Sequence, residues 1–146
     1  MNTVQLANKI RINSVRMVNA GGSSHIGSVL SIADILAVLY GSIMHYDPSR
    51  PKSDARDRFI LSKGHAGAGV YAVLAEVGFF DQSLLMQHCQ DGSIMSGHVS
   101  HKGIPGVELS TGSLGHGLPV GCGMSYRAKL DDKDHRVFVL MSDGEL

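Results

Sequence analysis

The chain has 146 residues, 43% of them hydrophobic, which is enough for one domain with a core and short for two. Its 13 Lys and Arg balance its 13 Asp and Glu, so there is no basic excess to hold a phosphate backbone or an anionic membrane, and neither nucleic acid nor membrane is an expected partner. The two cysteines show no paired spacing, no apolar run of membrane-spanning length is read, and Lys9 and Arg11 interrupt the first apolar pattern where a signal peptide would be continuous, all of which reads as a cytoplasmic protein.

From Asn2, the residues Leu6, Ala7, Ile10, Val15, Met17 and Val18 mostly follow helical spacing, with Asn2 and Gln5 placed as a capping box and Gly21-Gly22 as the stop. Ser31, with Asp34 three residues on, predicts a second amphipathic helix through Ile43. The stretch 47–57 holds Pro48, Pro51 and six charged residues and reads as a solvated loop. Phe59, Ile60 and Leu61 then predict a short strand, Ser62-Lys63-Gly64 a tight turn, and 66–77 a helix. A short helix is expected at 83–89, followed by a loop over 91–113 with five glycines, two histidines and a proline. A loop of that length in a small domain is usually functional. Helical character resumes over 114–130, where Gly115, Gly117, Gly121 and Gly123 offer surfaces for close backbone approach. After a polar turn at 131–134, the run Val137–Met141 reads as a strand buried on both faces of a parallel sheet.

The chemistry-bearing residues gather in loops: His25 after a Gly-Ser cluster, His65 in the turn after the first strand, His98 and His101 in the long loop, and His116 in a glycine-rich helix entry. Glycines there let backbone amides approach a ligand. Zinc is disfavoured, since neither His-Glu-x-x-His nor paired cysteines occur. The segment 112–117 matches neither the dinucleotide glycine order nor a phosphate loop ending in Gly-Lys-Ser/Thr, and by itself it reads equally as ligand contact or as close helix packing. Asp143-Gly144 directly follows the second strand. Its carboxylate would lie at the carboxyl edge of the sheet, suited to a hard cation such as Mg²⁺ beside a diphosphate, although Asp-Gly is equally a common turn pair.

In chain order, the segments 22–28 (Gly-Ser-Ser-His-Ile-Gly-Ser), 61–66 (Leu-Ser-Lys-Gly-His-Ala), 96–98 (Ser-Gly-His), 106–117 and 142–146 (Ser-Asp-Gly-Glu-Leu) closely resemble the diphosphate-binding domain of transketolase. The likeness spans nearly the whole chain, which is also similar to the N-terminal subunit of a split transketolase. It implies an α/β fold with a parallel sheet, the thiamine diphosphate-binding fold, present over 1–146 and incomplete at its C-terminus. It further implies a thiamine diphosphate enzyme that moves a two-carbon ketol unit from a ketose phosphate to an aldose.

By the same resemblance, His25, His65 and His98 would face the reacting carbons as catalytic residues, with His65 also near the diphosphate. Gly112 and Leu114 match positions touching the cofactor rings, Gly144 one touching the diphosphate, and Asp143 the first residue of the magnesium motif, where Ca²⁺ or Mn²⁺ are conceivable substitutes. Ser24 and Ser142 stand where the family has glycine, and His116 where glutamine is frequent. The asparagine completing the metal motif is expected beyond Leu146, and the glutamate acting on the aminopyrimidine belongs to a pyrimidine-binding domain on a C-terminal partner subunit, giving a hetero-oligomer or a dimer of such pairs. The alternative expectation is a truncated, catalytically inactive interaction module.

Overall fold

The computed structural model describes residues 1–146. Helix α1 (Thr3–Ala20) begins where the sequence places it. The Gln5 N–H donates to Asn2 Oδ1 at 2.9 Å and the Asn2 N–H to Gln5 Oε1 at 3.1 Å, so two of the helix's orphan donors are satisfied reciprocally. Leu6, Ala7, Ile10 and Met17 form its buried stripe.

The second predicted helix is divided: α2 (Ile26–Leu30) and α3 (Ala33–Val38) are separated by Ser31-Ile32, and α3 runs on as a widened π turn through Ile43. Ser31 caps nothing. Its hydroxyl donates to the Ser28 carbonyl at 2.7 Å and accepts the Lys63 ammonium at 3.0 Å. The segment Ile26–Ile43 is long and apolar enough by composition to cross a membrane, which corrects the sequence reading. Here it is broken in the middle, and its Val29, Ile32, Ala33, Leu36, Ala37 and Tyr40 enter the core.

Strands β1 (Arg58–Leu61) and β2 (Val137–Leu140) pair in parallel, with Phe59 opposite Phe138 and Leu61 opposite Leu140. Between them run α4 (Gly67–Glu76), a short 3₁₀ turn at Gln82–Gln87, the long irregular segment and α5 (Gly117–Leu130). Side chains alternate across the sheet. Phe59, Leu61 and Leu140 join the main core with α1, α3 and the almost wholly buried α4. Ile60, Val137 and Val139 face α5, where Gly121 lies so close that a Cβ would overlap Val139 Cγ2. Helices therefore cover both faces, as a parallel strand pair requires. Val137, Phe138 and Val139 are only half-buried, not fully buried as the apolar run suggests.

The 47–57 loop is also not solvated throughout. Asp57 is 1% exposed and Arg56 6%. The Asp57 carboxylate accepts the His45 N–H at 2.9 Å, the Arg136 N–H at 2.8 Å and the Arg136 guanidinium at 2.6 and 3.2 Å, and Arg56 pairs with Glu108 at 2.5 Å. Burial of these charges is tolerable because each has a partner. Together they pin the amino end of the sheet, leaving the carboxyl end for the loops that carry the histidines.

Candidate functional site

Three segments deliver His25, His65 and His98 to one place. His25 precedes α2 in a left-handed conformation (φ 70°), a strained backbone that only the surrounding packing can hold in a residue other than glycine. His65 sits in the 3₁₀ turn Gly64–Ala66 directly after β1. His98 belongs to the long loop, whose 98–99 peptide is pegged to the scaffold through both of its polar groups. The Val99 N–H donates to the Gly64 carbonyl at 2.9 Å, and the His98 carbonyl accepts the Tyr71 hydroxyl at 3.1 Å and the Ser96 hydroxyl at 2.7 Å.

The ring centroids are 5.0 Å apart for His25–His65, 6.0 Å for His25–His98 and 6.4 Å for His65–His98. His25 and His98 are exposed and His65 is half-buried. His65 Nε2 lies 3.0 Å from the Ser28 hydroxyl. Partial burial, and then the neighbouring His25, Lys63 and His98, hold the His65 imidazole below its ordinary pKa, so it is neutral near pH 7 and can accept a proton. Lys63, 7% exposed, is likewise lowered by burial, while Glu145 and Asp143 pull it back toward the charged form.

The glycine-rich segment reaches the same edge. Thr111 is fixed by its hydroxyl to the Leu61 carbonyl at 2.5 Å and by its N–H to the Val99 carbonyl at 3.3 Å. Gly112 then passes the His98 ring so closely that a Cβ would stand 3.3 Å from Cδ2. Leu114 is 53% exposed, and Asp143 and Gly144 are exposed beyond the carboxyl end of β2, with open space around Gly144. No three His, Cys, Asp or Glu side chains cluster as a metal cage. His116, at the start of α5, is exposed, and His101 bonds Ser110 at 2.7 Å without joining the three rings.

Sequence reasoning missed the residues that hold this edge together. Ser62, buried at the end of β1, donates its hydroxyl to Glu145 Oε1 at 2.6 Å and accepts the Gly117 N–H at 3.1 Å. Glu145 also accepts the Gly115 N–H at 2.9 Å and the Ser142 N–H at 2.7 Å. Burial would raise the Glu145 carboxyl, but the donors from Gly115, Ser62 and Ser142 outweigh it and hold the group at about 2. One signal was present: Ser142 and Glu145 have capping-box spacing, and the structure forms that box.

The family described as "Transketolase, thiamine diphosphate binding domain" matches residues 2–146. The chain is 43% identical over 137 residues to one subunit of the apulose-4-phosphate transketolase of Phocaeicola vulgatus, covering 94% of this chain and 48% of that protein. It is 43% identical over 141 residues to human transketolase, covering 96% of this chain and 22% of that one. Among solved structures, transketolase from Leishmania mexicana superimposes with a TM-score of 0.90 at 33% identity, over 99% of this chain and 23% of its own. The chain thus spans about half the length of one of these relatives and about a quarter or less of the others.

Proposed function

Because the chain belongs to the transketolase family, as its thiamine diphosphate-binding domain, we propose that it supplies the diphosphate side of a composite transketolase site and is active only with a second polypeptide carrying a pyrimidine-binding domain. The reaction is transfer of a two-carbon ketol unit from a ketose phosphate to an aldose. The observation that carries this reading is the convergence of His25, His65 and His98, with centroids 5.0–6.4 Å apart, at the same sheet edge as the glycine-rich segment and Asp143.

The residues present fit the cofactor. Asp143 offers a hard oxygen ligand suited to Mg²⁺, with Ca²⁺ or Mn²⁺ as substitutes; Gly144 leaves room beside it; and the Lys63 ammonium, close enough to feel Asp143, adds positive charge near a diphosphate. One carboxylate does not complete an octahedral shell, so a bound Mg²⁺ would need further oxygen ligands from outside Asp143. When bound, thiamine diphosphate supplies a carbon nucleophile and an electron sink for carbon–carbon cleavage. The protein's own part is to bind, orient and move protons. His65, neutral near pH 7 and hydrogen-bonded to Ser28, serves as the acceptor of a hydroxyl proton, while the neighbouring His25 and His98 hydrogen-bond the substrate's hydroxyls. Both of these rings face solvent, so closure of the cleft falls to the partner domain. The P. vulgatus relative is named as one subunit of its enzyme, which supports a two-chain assembly, and its sugar phosphate indicates the substrate class.

The test is to mix the chain with its pyrimidine-binding partner, thiamine diphosphate and Mg²⁺, and to follow transfer between a ketose phosphate and an aldose. Transfer is expected only in the complete mixture, falling by roughly 100-fold or more in His65→Ala. A complete mixture that leaves every donor and acceptor unchanged would support the inactive interaction module instead.

A further inference from the structure

Three separate segments of the site meet at the carboxylate of Glu145. Its Oε1 accepts the Ser62 hydroxyl from the end of β1 at 2.6 Å and the Gly115 N–H from the glycine-rich segment at 2.9 Å. Its Oε2 accepts the Ser142 N–H at 2.7 Å and the Ser142 hydroxyl at 3.0 Å at the end of β2. Ser62 passes the connection on, since its oxygen accepts the Gly117 N–H at the first turn of α5. Both carboxylate oxygens are thereby filled by donors, as an ionised carboxylate with no donor capacity of its own requires. The contact with Ser62 spans 83 residues of chain and that with Gly115 spans 30, so neither is a by-product of local turn geometry.

Gly115 stands at φ +85°, where the backbone has no intrinsic preference to stay, and it directly follows Leu114. Without a tether at that N–H, residues 112–115 would be joined to the sheet only through Thr111 on one side and Gly117 on the other. Asp143 lies two residues before Glu145 in the same short 3₁₀ turn, so the same side chain orients the metal-facing turn against the glycine-rich segment.

We infer that Glu145 is a positioning residue that clamps the glycine-rich segment and the Asp143 turn to the end of β1, fixing the cradle into which the cofactor's diphosphate and rings are received. This inference rests on the transketolase reading for the identity of the cofactor, but the clamp itself does not. Two measurements separate them. In the full chain, backbone amide exchange at Gly115 is expected to accelerate about tenfold in Glu145→Ala and less in Glu145→Gln, which keeps one acceptor oxygen, while amides of α1 and α4 keep their protection. In the chain assembled with its partner, the Kd for thiamine diphosphate with Mg²⁺ is expected to rise about tenfold in Glu145→Ala, with kcat at saturating cofactor within about twofold of the parent and Glu145→Gln intermediate.

Unchanged protection of Gly115 in Glu145→Ala would overturn the clamp. Simultaneous loss of protection in α1 and α4, or a fall in kcat at unchanged Kd, would overturn the positioning role. If the parent assembly binds no thiamine diphosphate, the transketolase reading fails, and the exchange of Gly115 still decides whether Glu145 holds the segment.

Discussion

Gly64 gives the sharpest test of how the fold builds the site. It lies between Lys63 and His65, and a Cβ there would overlap the carbonyl oxygen of Thr111 and stand 2.8 Å from Thr111 Oγ1. Its own carbonyl accepts the Val99 N–H at 2.9 Å, so this turn binds the segments of both His98 and Gly112. The obstacle is backbone, which cannot rotate away as a side-chain end would. In Gly64→Ala the Thr111 segment must withdraw, and the overpacking costs about 1–3 kcal/mol. Withdrawal also breaks the buried Thr111–Leu61 hydrogen bond, worth about 1 kcal/mol. The total loss, about 2–4 kcal/mol, would lower the urea midpoint by about 1–2 M. Gly123→Ala is the matched control. It is helical, with nothing within 4 Å of the added methyl, and should raise stability by about 0.5–1 kcal/mol. If the two substitutions shift the urea midpoint equally, or Gly64→Ala costs less than about 0.5 kcal/mol, the packing argument for this turn is wrong.

Asp57→Asn keeps the shape but sets an amide against donors from His45 and Arg136; a loss of about 2–3 kcal/mol is expected in urea unfolding, tempered by the 46% exposure of the Arg136 side chain. A loss below about 0.5 kcal/mol would mean that this carboxylate does not pin the amino end of the sheet. Acid should also weaken the fold through histidine. Burial lowers both His65 and His88 in the folded chain, so the unfolded chain takes up protons first, near pH 6.5. Their contribution to stability is therefore complete above that pH and is lost as pH falls through the folded values. Urea midpoints measured from pH 7.5 down to about 5 should fall, and should fall less in His88→Gln; an equal slope in the variant would contradict the burial argument.

Much of this architecture is written locally. The Asn2–Gln5 box, the β1 run and the helical spacing that gives α1 its stripe are all short-range patterns, and they form where periodicity puts them. The segment 26–43 shows the limit. Ser31 and Asp34 look like a helix start, yet Ser31 is drawn off by Lys63, a residue 32 positions away, and Asp34 pairs with Arg11 of α1. Long-range partners similarly decide the burial of Arg56 by Glu108 and of Asp57 by Arg136, which charge counting along the chain assigns to solvent. The three histidines could be named from the family resemblance, but their convergence depends on the pegs from Gly64 and Tyr71 to the long loop, and no periodicity encodes those. Glu145 was the least legible of all, because the partners that give it meaning, Ser62 and Gly115, lie 83 and 30 residues away.

The central claim is that this chain holds one side of a shared cofactor site, and calorimetric titration with thiamine diphosphate and Mg²⁺ addresses it most directly. Micromolar binding is expected for the chain assembled with its pyrimidine-binding partner, sharply weakened in Asp143→Ala, and no such affinity for the chain alone. Micromolar binding to the isolated chain, or an assembled pair that takes up no cofactor, would contradict it.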